Sequence, residues 1–98
     1  MDKEERKEII IIDVSEIKTS RELHSILKKE LEFPTFYGMN WDAFWDTITG
    51  LVELPKMLVI EGWDNLVRIL PNDAEILQKL LAEFNENYQT CKYNVEYK

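Results

Sequence analysis

The 98-residue sequence has only one histidine, one cysteine, three glycines and three prolines. A single cysteine excludes an internal disulfide framework and favours a reducing, cytoplasmic compartment. No glycine-rich nucleotide-binding motif occurs. The first apolar run, residues 9–12, is too short for a signal peptide or a membrane span. We therefore expect a cytoplasmic protein without a bound nucleotide.

Basic residues are also scarce, because 12 Lys and Arg face 19 Asp and Glu, giving a net charge of −7. Phosphate backbones and anionic lipids repel such a chain, so nucleic acid and membrane surfaces are not expected partners. The expected partners are basic proteins. With 45% hydrophobic and 32% charged residues, the composition is that of a globular protein. The length predicts one domain over residues 1–98, with residues 1–8 as a charged N-terminal extension.

Three apolar runs predict strands. Residues 9–14 form a β-branched run that is typical of a strand covered on both faces, and residues 57–60 form a second run that ends at Gly62. Residues 91–97 are also strand-like. Because helical segments separate these runs, we expect a small, mainly parallel α/β sheet with right-handed connections.

Four segments have the spacing of helices. Capping residues mark three helix starts: Thr19 with Glu22, Asn40, and Asn72 with Glu75. The second helix is expected to run to about Thr49 and to stop at Gly50, and a short amphipathic helix is expected over residues 63–70. The last helix is expected to carry an apolar stripe of Ile76, Leu77, Leu80, Leu81, Phe84 and Tyr88.

Residues 30–55 differ in composition from the rest of the chain. They contain five carboxylates, no lysine or arginine, and six of the eleven aromatic residues. Acidic groups interleaved with rigid aromatic rings suit a surface that enters a basic cleft. A buried aromatic helix with an ordinary acidic outer face has the same composition, so both interpretations remain open at this point.

Helical spacing separates two groups within this segment. Trp41, Phe44, Trp45 and Ile48 fall on one stripe and are expected to pack in the core, whereas Asp42, Asp46 and Thr49 fall on one flank. Asp46 lies mid-helix, four residues after Asp42, with no cation three or four residues away. A charged residue that opposes both helix propensity and charge pairing, without visible compensation, indicates a functional residue. Glu83, at the edge of the last helix's apolar stripe, is a second and weaker candidate.

Enzymatic interpretations are poorly supported. Asp42 and Asp46 could form a carboxylate pair, but side chains four residues apart on a helix point the same way instead of flanking a substrate bond. A metal site would need more ligands than one histidine offers. His24 is expected to be a packed or capping histidine, and Cys91 an inert thiol. We therefore expect no catalysis, no metal and no cofactor.

The segment from Phe36 to Asp46 reads Phe-Tyr-Gly-Met-Asn-Trp-Asp-Ala-Phe-Trp-Asp and is followed by Thr49-Gly50. Together with residues 23–31, it closely resembles the barstar family of intracellular inhibitors of secreted ribonucleases. The likeness extends over residues 9–97. It implies a three-stranded parallel sheet with three to four helices, and a non-enzymatic inhibitor. Members insert the second helix and the loop before it into the nuclease active site, in place of RNA phosphates.

The resemblance also implies roles for single residues. Asp46 falls on the aspartate that occupies the catalytic phosphate site, and Asp42 on an aspartate that makes backbone contacts. Phe36 falls on the aromatic residue that stacks over the nuclease's catalytic histidine, and Glu83 on a glutamate that pairs with an enzyme arginine. The other positions expected to bind the nuclease are the helix cap Asn40, the closing turn at Thr49 and Gly50, and Tyr37, Gly38 and Trp45.

Three departures from the family pattern bear on the target. Phe36 stands where a tyrosine is usual, Leu51 replaces an interfacial tryptophan, and Met39 replaces an acidic residue. We expect a 1:1 inhibitor of a basic microbial ribonuclease, either barnase-like or a toxin nuclease domain. As an immunity protein it would protect its producer's cytoplasm and be a monomer when free. The alternative is a barstar-fold module that binds another basic protein without inhibiting a nuclease.

Overall fold

The computed structural model describes residues 7–89 and 92–98. In chain order, these residues form β1 (Ile9–Asp13), α1 (Ser20–Glu30), α2 (Trp41–Gly50), β2 (Met57–Glu61), α3 (Trp63–Ile69), α4 (Pro71–Asn87) and β3 (Asn94–Tyr97). The strand order is β1-β2-β3, and both pairings are parallel. The predicted α/β class, with a small three-stranded parallel sheet and four helices, is confirmed. Cys91 lies outside the described residues.

One hydrophobic core joins the sheet to all four helices. Its fully buried side chains come from every helix and from the two longer strands and their ends: Ile12, Val14, Leu23, Leu27, Phe44, Leu58, Ile60, Leu66, Leu77 and Leu81. The parallel register places Ile12 beside Ile60, and Ile60 beside Tyr97. Helices therefore bury one continuous face of the sheet.

Strand β1 is covered on one face only, so the prediction of two covered faces is wrong. Ile12 is fully buried, whereas Ile9 and Ile11 are 52% and 50% exposed. β1 is an edge strand, and α1 packs against it from one side. In the central strand, Val59 is only 5% exposed because Ile11 and Glu96 flank it on the neighbouring strands.

The start of α1 follows the predicted capping box. The Thr19 hydroxyl accepts a hydrogen bond from the Glu22 backbone N–H at 3.1 Å. The Glu22 carboxylate accepts one in turn from the backbone N–H of Lys18 at 2.8 Å, one residue before the cap. The first-turn N–H of Glu22 and the N–H of Lys18, just before the cap, are therefore both satisfied.

The end of α1 is a Schellman turn ahead of Pro34. The Phe33 N–H donates to the Lys28 carbonyl at 2.9 Å, and the Glu32 N–H donates to the Lys29 carbonyl at 3.4 Å. Glu32 adopts a left-handed conformation with φ of 59°, a position that glycine usually occupies. This turn reverses the chain and begins the loop that leads to α2.

Gly62 ends β2, as predicted, and opens α3. Its φ is 79°, and a Cβ there would lie 2.5 Å from the Ser15 backbone. Only glycine tolerates both the left-handed backbone and this close approach.

The predicted start of the last helix is wrong, and the second helix ends one residue later than predicted. α4 begins at Pro71 without a side-chain cap, so Asn72 is not its capping residue. Proline is favoured at the first helical position because its missing N–H would be unpaired there anyway. α2 continues through Gly50 to a cap at Leu51, whose N–H donates to the Thr47 carbonyl.

The apolar stripe of α4 is also narrower than predicted, because Ile76 and Tyr88 are 36% and 39% exposed. The fully buried or nearly buried members of this helix are Ala74, Leu77, Leu81 and Phe84.

Candidate functional site

The loop between α1 and α2 exposes one aromatic ring and buries its neighbours. Phe36 is 74% exposed, whereas Phe33 and Tyr37 are 7% and 5% exposed. The rings of Phe33 and Tyr37 lie 4.8 Å apart, and Phe33 also meets Phe44 of α2 edge-on at 5.9 Å. These buried rings fix the loop to the core, so Phe36 projects from an anchored backbone.

Tyr37 is predicted to belong to the binding set, but its side chain lies inside the protein. Its hydroxyl is 2.7 Å from Nδ1 of His24 and donates to the Asn40 carbonyl at 3.4 Å. Burial raises the pKa of the phenol well above its ordinary value, so the group is neutral at physiological pH.

His24 is buried at 1% exposure, in agreement with the prediction of a packed histidine. Burial lowers the pKa of its imidazole, and the negative charge of Asp73 opposes that shift. The Trp41 ring lies 4.4 Å from the imidazole, and the Trp41 indole N–H donates to the Asp73 carboxylate at 2.9 Å. His24 therefore serves as a packing and hydrogen-bonding residue at the base of the loop.

Asn40 caps α2 as predicted. Its side-chain oxygen accepts from the Ala43 N–H at 2.7 Å, and its amide donates to the Gly38 carbonyl at 3.1 Å. Met39, between Gly38 and Asn40, adopts a left-handed φ of 59°. A Cβ on Gly38 would lie 3.2 Å from the Ala43 Cβ, so the turn packs closely on the first helical residues.

The two faces of α2 separate packing residues from charged residues. Phe44 and Ile48 are buried, and Trp41 and Trp45 are half-buried. Asp42 and Asp46 are exposed on the flank. The Thr49 hydroxyl donates back to the Trp45 carbonyl at 2.7 Å. Gly50 faces open space, because a Cβ at this position would meet no atom of another described element within 4 Å.

Glu83 is partly exposed and lies on α4, which packs against α2. It is therefore on a helix in contact with the one that carries Asp42 and Asp46. The site residues expected from the sequence thus come from the loop, from α2 and from its packing partner α4.

Asp42 and Asp46 form no ion pair with a lysine or arginine of the described residues. Within residues 7–89 and 92–98, the ion pairs are Lys7–Glu32, Lys56–Glu8 and Lys98–Glu96. None of them involves Asp42 or Asp46. Lys28, in the last turn of α1, donates to the Thr35 carbonyl of the loop at 3.2 Å. The helix flank consequently presents uncompensated negative charge.

The described residues contain no group of three His, Cys, Asp or Glu side chains that could hold a metal ion. None of the described helices is both long and apolar enough to cross a membrane.

An exposed aromatic ring beside an acidic, capped helix is the arrangement expected of the barstar family. A model of that family, described as "Barstar (barnase inhibitor)", matches residues 7–97. The chain belongs to the barstar family. Members are protein inhibitors of ribonucleases and not enzymes.

The chain is also 38% identical over 77 residues to a protein of Bacillus subtilis (strain 168) named "Putative ribonuclease inhibitor YrdF". That match covers 79% of this chain and 85% of the Bacillus protein. The likeness therefore extends over most of both proteins and is not confined to α2 and its loop.

Sequence reasoning missed the contacts that hold the site together. Asp73 joins Trp41 across 32 residues of chain, and His24 meets Tyr37 across 13. Neither separation corresponds to helical or strand periodicity, so no local pattern pointed to them. The unusual feature that sequence does offer is a lone histidine on an otherwise apolar helix face.

Proposed function

We propose that this protein inhibits a basic ribonuclease by covering its active site with α2 and the preceding loop. The observation that carries the proposal is the pair Asp42 and Asp46, exposed on a barstar-family helix without a cationic partner among the described residues. Two carboxylates on one helix flank are suited to the arginine and lysine side chains that bind RNA phosphates in a nuclease.

Phe36 supplies the apolar part of the same surface. At 74% exposure, its ring is free to stack on a partner, and the anchored loop reduces the entropy lost on binding. Asp46 occupies the phosphate site of the enzyme, Asp42 and the Thr49–Gly50 end of α2 close against it, and Glu83 pairs with an arginine at the margin. Asn40, Gly38 and Trp45 hold this surface in shape.

One chain binds one enzyme molecule, and the free inhibitor is a monomer. The target is either a secreted, barnase-like enzyme or the nuclease domain of a toxin, and the inhibitor protects the cytoplasm of the cell that makes it. Leu51, 56% exposed at the end of α2, lies where its side chain can contribute to the choice among such targets.

The test titrates the protein into barnase and into a basic toxin nuclease while cleavage of a dinucleotide is followed. We expect activity to fall linearly to zero at one equivalent of a matching enzyme, with kinetics competitive with RNA. A complex that forms but cleaves the dinucleotide at full rate would contradict the proposal and favour a binding module without inhibition.

A further inference from the structure

A buried hydrogen bond connects α1 to the residue next to Phe36. His24 and Tyr37 are 1% and 5% exposed, and Nδ1 of His24 lies 2.7 Å from the Tyr37 hydroxyl. Tyr37 is the chain neighbour of Phe36, which is 74% exposed. The most exposed ring of the loop is therefore attached directly to one of its most firmly held residues.

The same hydroxyl also reaches the start of α2. It donates to the Asn40 carbonyl at 3.4 Å, the carbonyl that accepts the first helical hydrogen bond, from the Phe44 N–H at 2.9 Å. The His24 ring also packs on the Trp41 ring, with 4.4 Å between the ring centres. The Trp41 indole N–H in turn donates to the Asp73 carboxylate of α4. Contacts from α1 and α4 thus converge on the backbone between Phe36 and the first turn of α2.

We propose that His24 and Tyr37 are positioning residues for the nuclease-binding surface. Their hydrogen bond fixes the loop backbone so that the Phe36 ring and the first turn of α2 are presented in one geometry. Tyr37 then contributes to binding from inside the core, without forming the contact surface itself. The inference rests on the proposed function, because it assigns a means of organising the same surface.

The geometry supports a positioning role because the two groups restrain different parts of the site at once. A buried hydroxyl with two partners within reach has few alternative orientations, and each partner belongs to a different element. Loss of this hydroxyl leaves the ring packed between Phe33 and His24, so the protein is expected to remain folded while the restraint on Phe36 is lost.

Tyr37→Phe removes only that hydroxyl, and Tyr93→Phe is its matched control. Tyr93 is likewise buried, and its hydroxyl donates to the Leu81 carbonyl at 2.9 Å, away from the loop. Tyr93→Phe deletes one buried hydrogen bond and Tyr37→Phe deletes both contacts of its hydroxyl, so both changes should lower the free energy of unfolding. Only Tyr37→Phe should alter the behaviour of Phe36.

The binding experiment is a double-mutant cycle with barnase as the probe. Phe36→Ala is measured in the parent, in Tyr37→Phe and in Tyr93→Phe. In the parent, the Kd should rise by roughly two- to tenfold, the range that aromatic contacts provide. With Tyr37→Phe that loss should shrink to less than about twofold, because an unrestrained ring contributes less. It should be unchanged with Tyr93→Phe. An equal loss in all three backgrounds would overturn the proposal.

Substitutions at His24 test whether the hydrogen bond or the packing of the ring provides the restraint. His24→Asn keeps a polar group close to the position of Nδ1, whereas His24→Leu keeps the volume and removes the hydrogen bond. Binding to barnase should be weakened by His24→Leu and at least partly restored by His24→Asn. Equal weakening by both substitutions would mean that packing alone is responsible.

Hydrogen exchange of the free chain provides a reading that needs no nuclease. Tyr37→Phe should accelerate exchange of the Tyr37 and Phe44 amides more than that of the Leu27 amide in α1, and Tyr93→Phe should not. Uniform acceleration would overturn the positioning role. If barnase and a basic toxin nuclease both fail to bind the parent, the proposed function fails. The hydrogen-exchange comparison of Tyr37→Phe with Tyr93→Phe then still decides whether His24 and Tyr37 position the loop.

Discussion

Asp46 is placed where it benefits the free protein little. It is exposed, follows Asp42 by one helical turn, and has no ion pair within the described part of the chain. Asp46→Ala removes a like-charge repulsion worth about 0.2–0.5 kcal/mol and introduces a residue with up to about 0.7 kcal/mol better helix propensity. The free energy of unfolding should therefore hold or rise.

The same substitution should weaken nuclease binding by about 3–5 kcal/mol, because cations in the enzyme's active site are left buried without an anion. Denaturant unfolding and a Kd measured on one preparation test both expectations. Asp64→Ala, which removes an exposed aspartate from the first turn of α3, is the charge-matched control and should leave the Kd nearly unchanged. Strong destabilisation by Asp46→Ala would show that Asp46 is structural.

Phe36, like Asp46, is expected to contribute to binding and not to stability, but through an aromatic contact instead of a charge. Because its ring is 74% exposed, Phe36→Ala should leave the free energy of unfolding almost unchanged. Nuclease affinity should fall by about 0.5–1.5 kcal/mol through the lost aromatic contact. Phe36→Tyr should keep or improve the affinity because it retains the ring. Calorimetric titration with barnase measures both variants, and parent-like binding of Phe36→Ala would mean that this target does not contact the loop.

At the residue scale, helical periodicity predicted α2 correctly in part. It separated exposed Asp42 and Asp46 from buried Phe44 and Ile48. It could not show that Tyr37 is buried, because a loop has no fixed spacing that relates sequence position to exposure. Trp41 is only half-buried because its indole N–H reaches the Asp73 carboxylate instead of entering the core completely.

At the scale of helices and strands, local capping chemistry was informative where the cap is a short polar side chain. Thr19 and Asn40 both accept the expected backbone N–H. The start of α4 was misplaced because Pro71 begins the helix by its fixed φ, without any side-chain hydrogen bond. The open face of β1 was missed because a run of isoleucines does not reveal whether a strand is central or at an edge.

The Schellman turn after α1 gives a test of backbone strain. Glu32 holds a φ of 59°, which costs a non-glycine residue roughly 1–2 kcal/mol. Glu32→Gly removes that cost but loses the exposed Lys7–Glu32 pair, worth about 0–1 kcal/mol. The free energy of unfolding should rise by up to about 1 kcal/mol in denaturant melts.

The matched control is Glu75→Gly, the same substitution at an exposed position in the body of α4. There the backbone is helical, so glycine should lower the free energy of unfolding by about 0.5–1 kcal/mol. Making Glu32→Gly in a Lys7→Met background removes the ion pair from the comparison and should enlarge the gain. Destabilisation in that background would contradict the strain argument.

At the scale of the whole molecule, negative charge and exposed aromatic area coincide on one part of the fold. The chain carries a net charge of −7, and the exposed carboxylates of α2 are left out of its described ion pairs. Parallel α/β topology was predictable from the alternation of apolar runs and helical segments. The packing of α4, which carries Glu83, on α2 depends on contacts between residues far apart in sequence.

This charge distribution predicts that salt acts mainly on the association rate. Electrostatic attraction between an acidic surface and a basic cleft accelerates encounter before close contacts form. The Debye length shortens from about 10 Å at 0.1 M salt to about 3 Å at 1 M. Stopped-flow measurements with a basic ribonuclease should therefore show an association rate that falls steeply over this range, while the dissociation rate changes much less.

Neutral variants identify the residues responsible for that salt dependence. Asp42→Asn combined with Asp46→Asn should flatten the salt dependence of association more than Asp64→Asn combined with Glu75→Gln, although both double variants remove two negative charges. The first pair lies on the proposed contact surface, whereas Asp64 is exposed on α3 and Glu75 is exposed on α4. Equal flattening by both pairs would mean that net charge, rather than the acidic flank of α2, governs encounter with the enzyme.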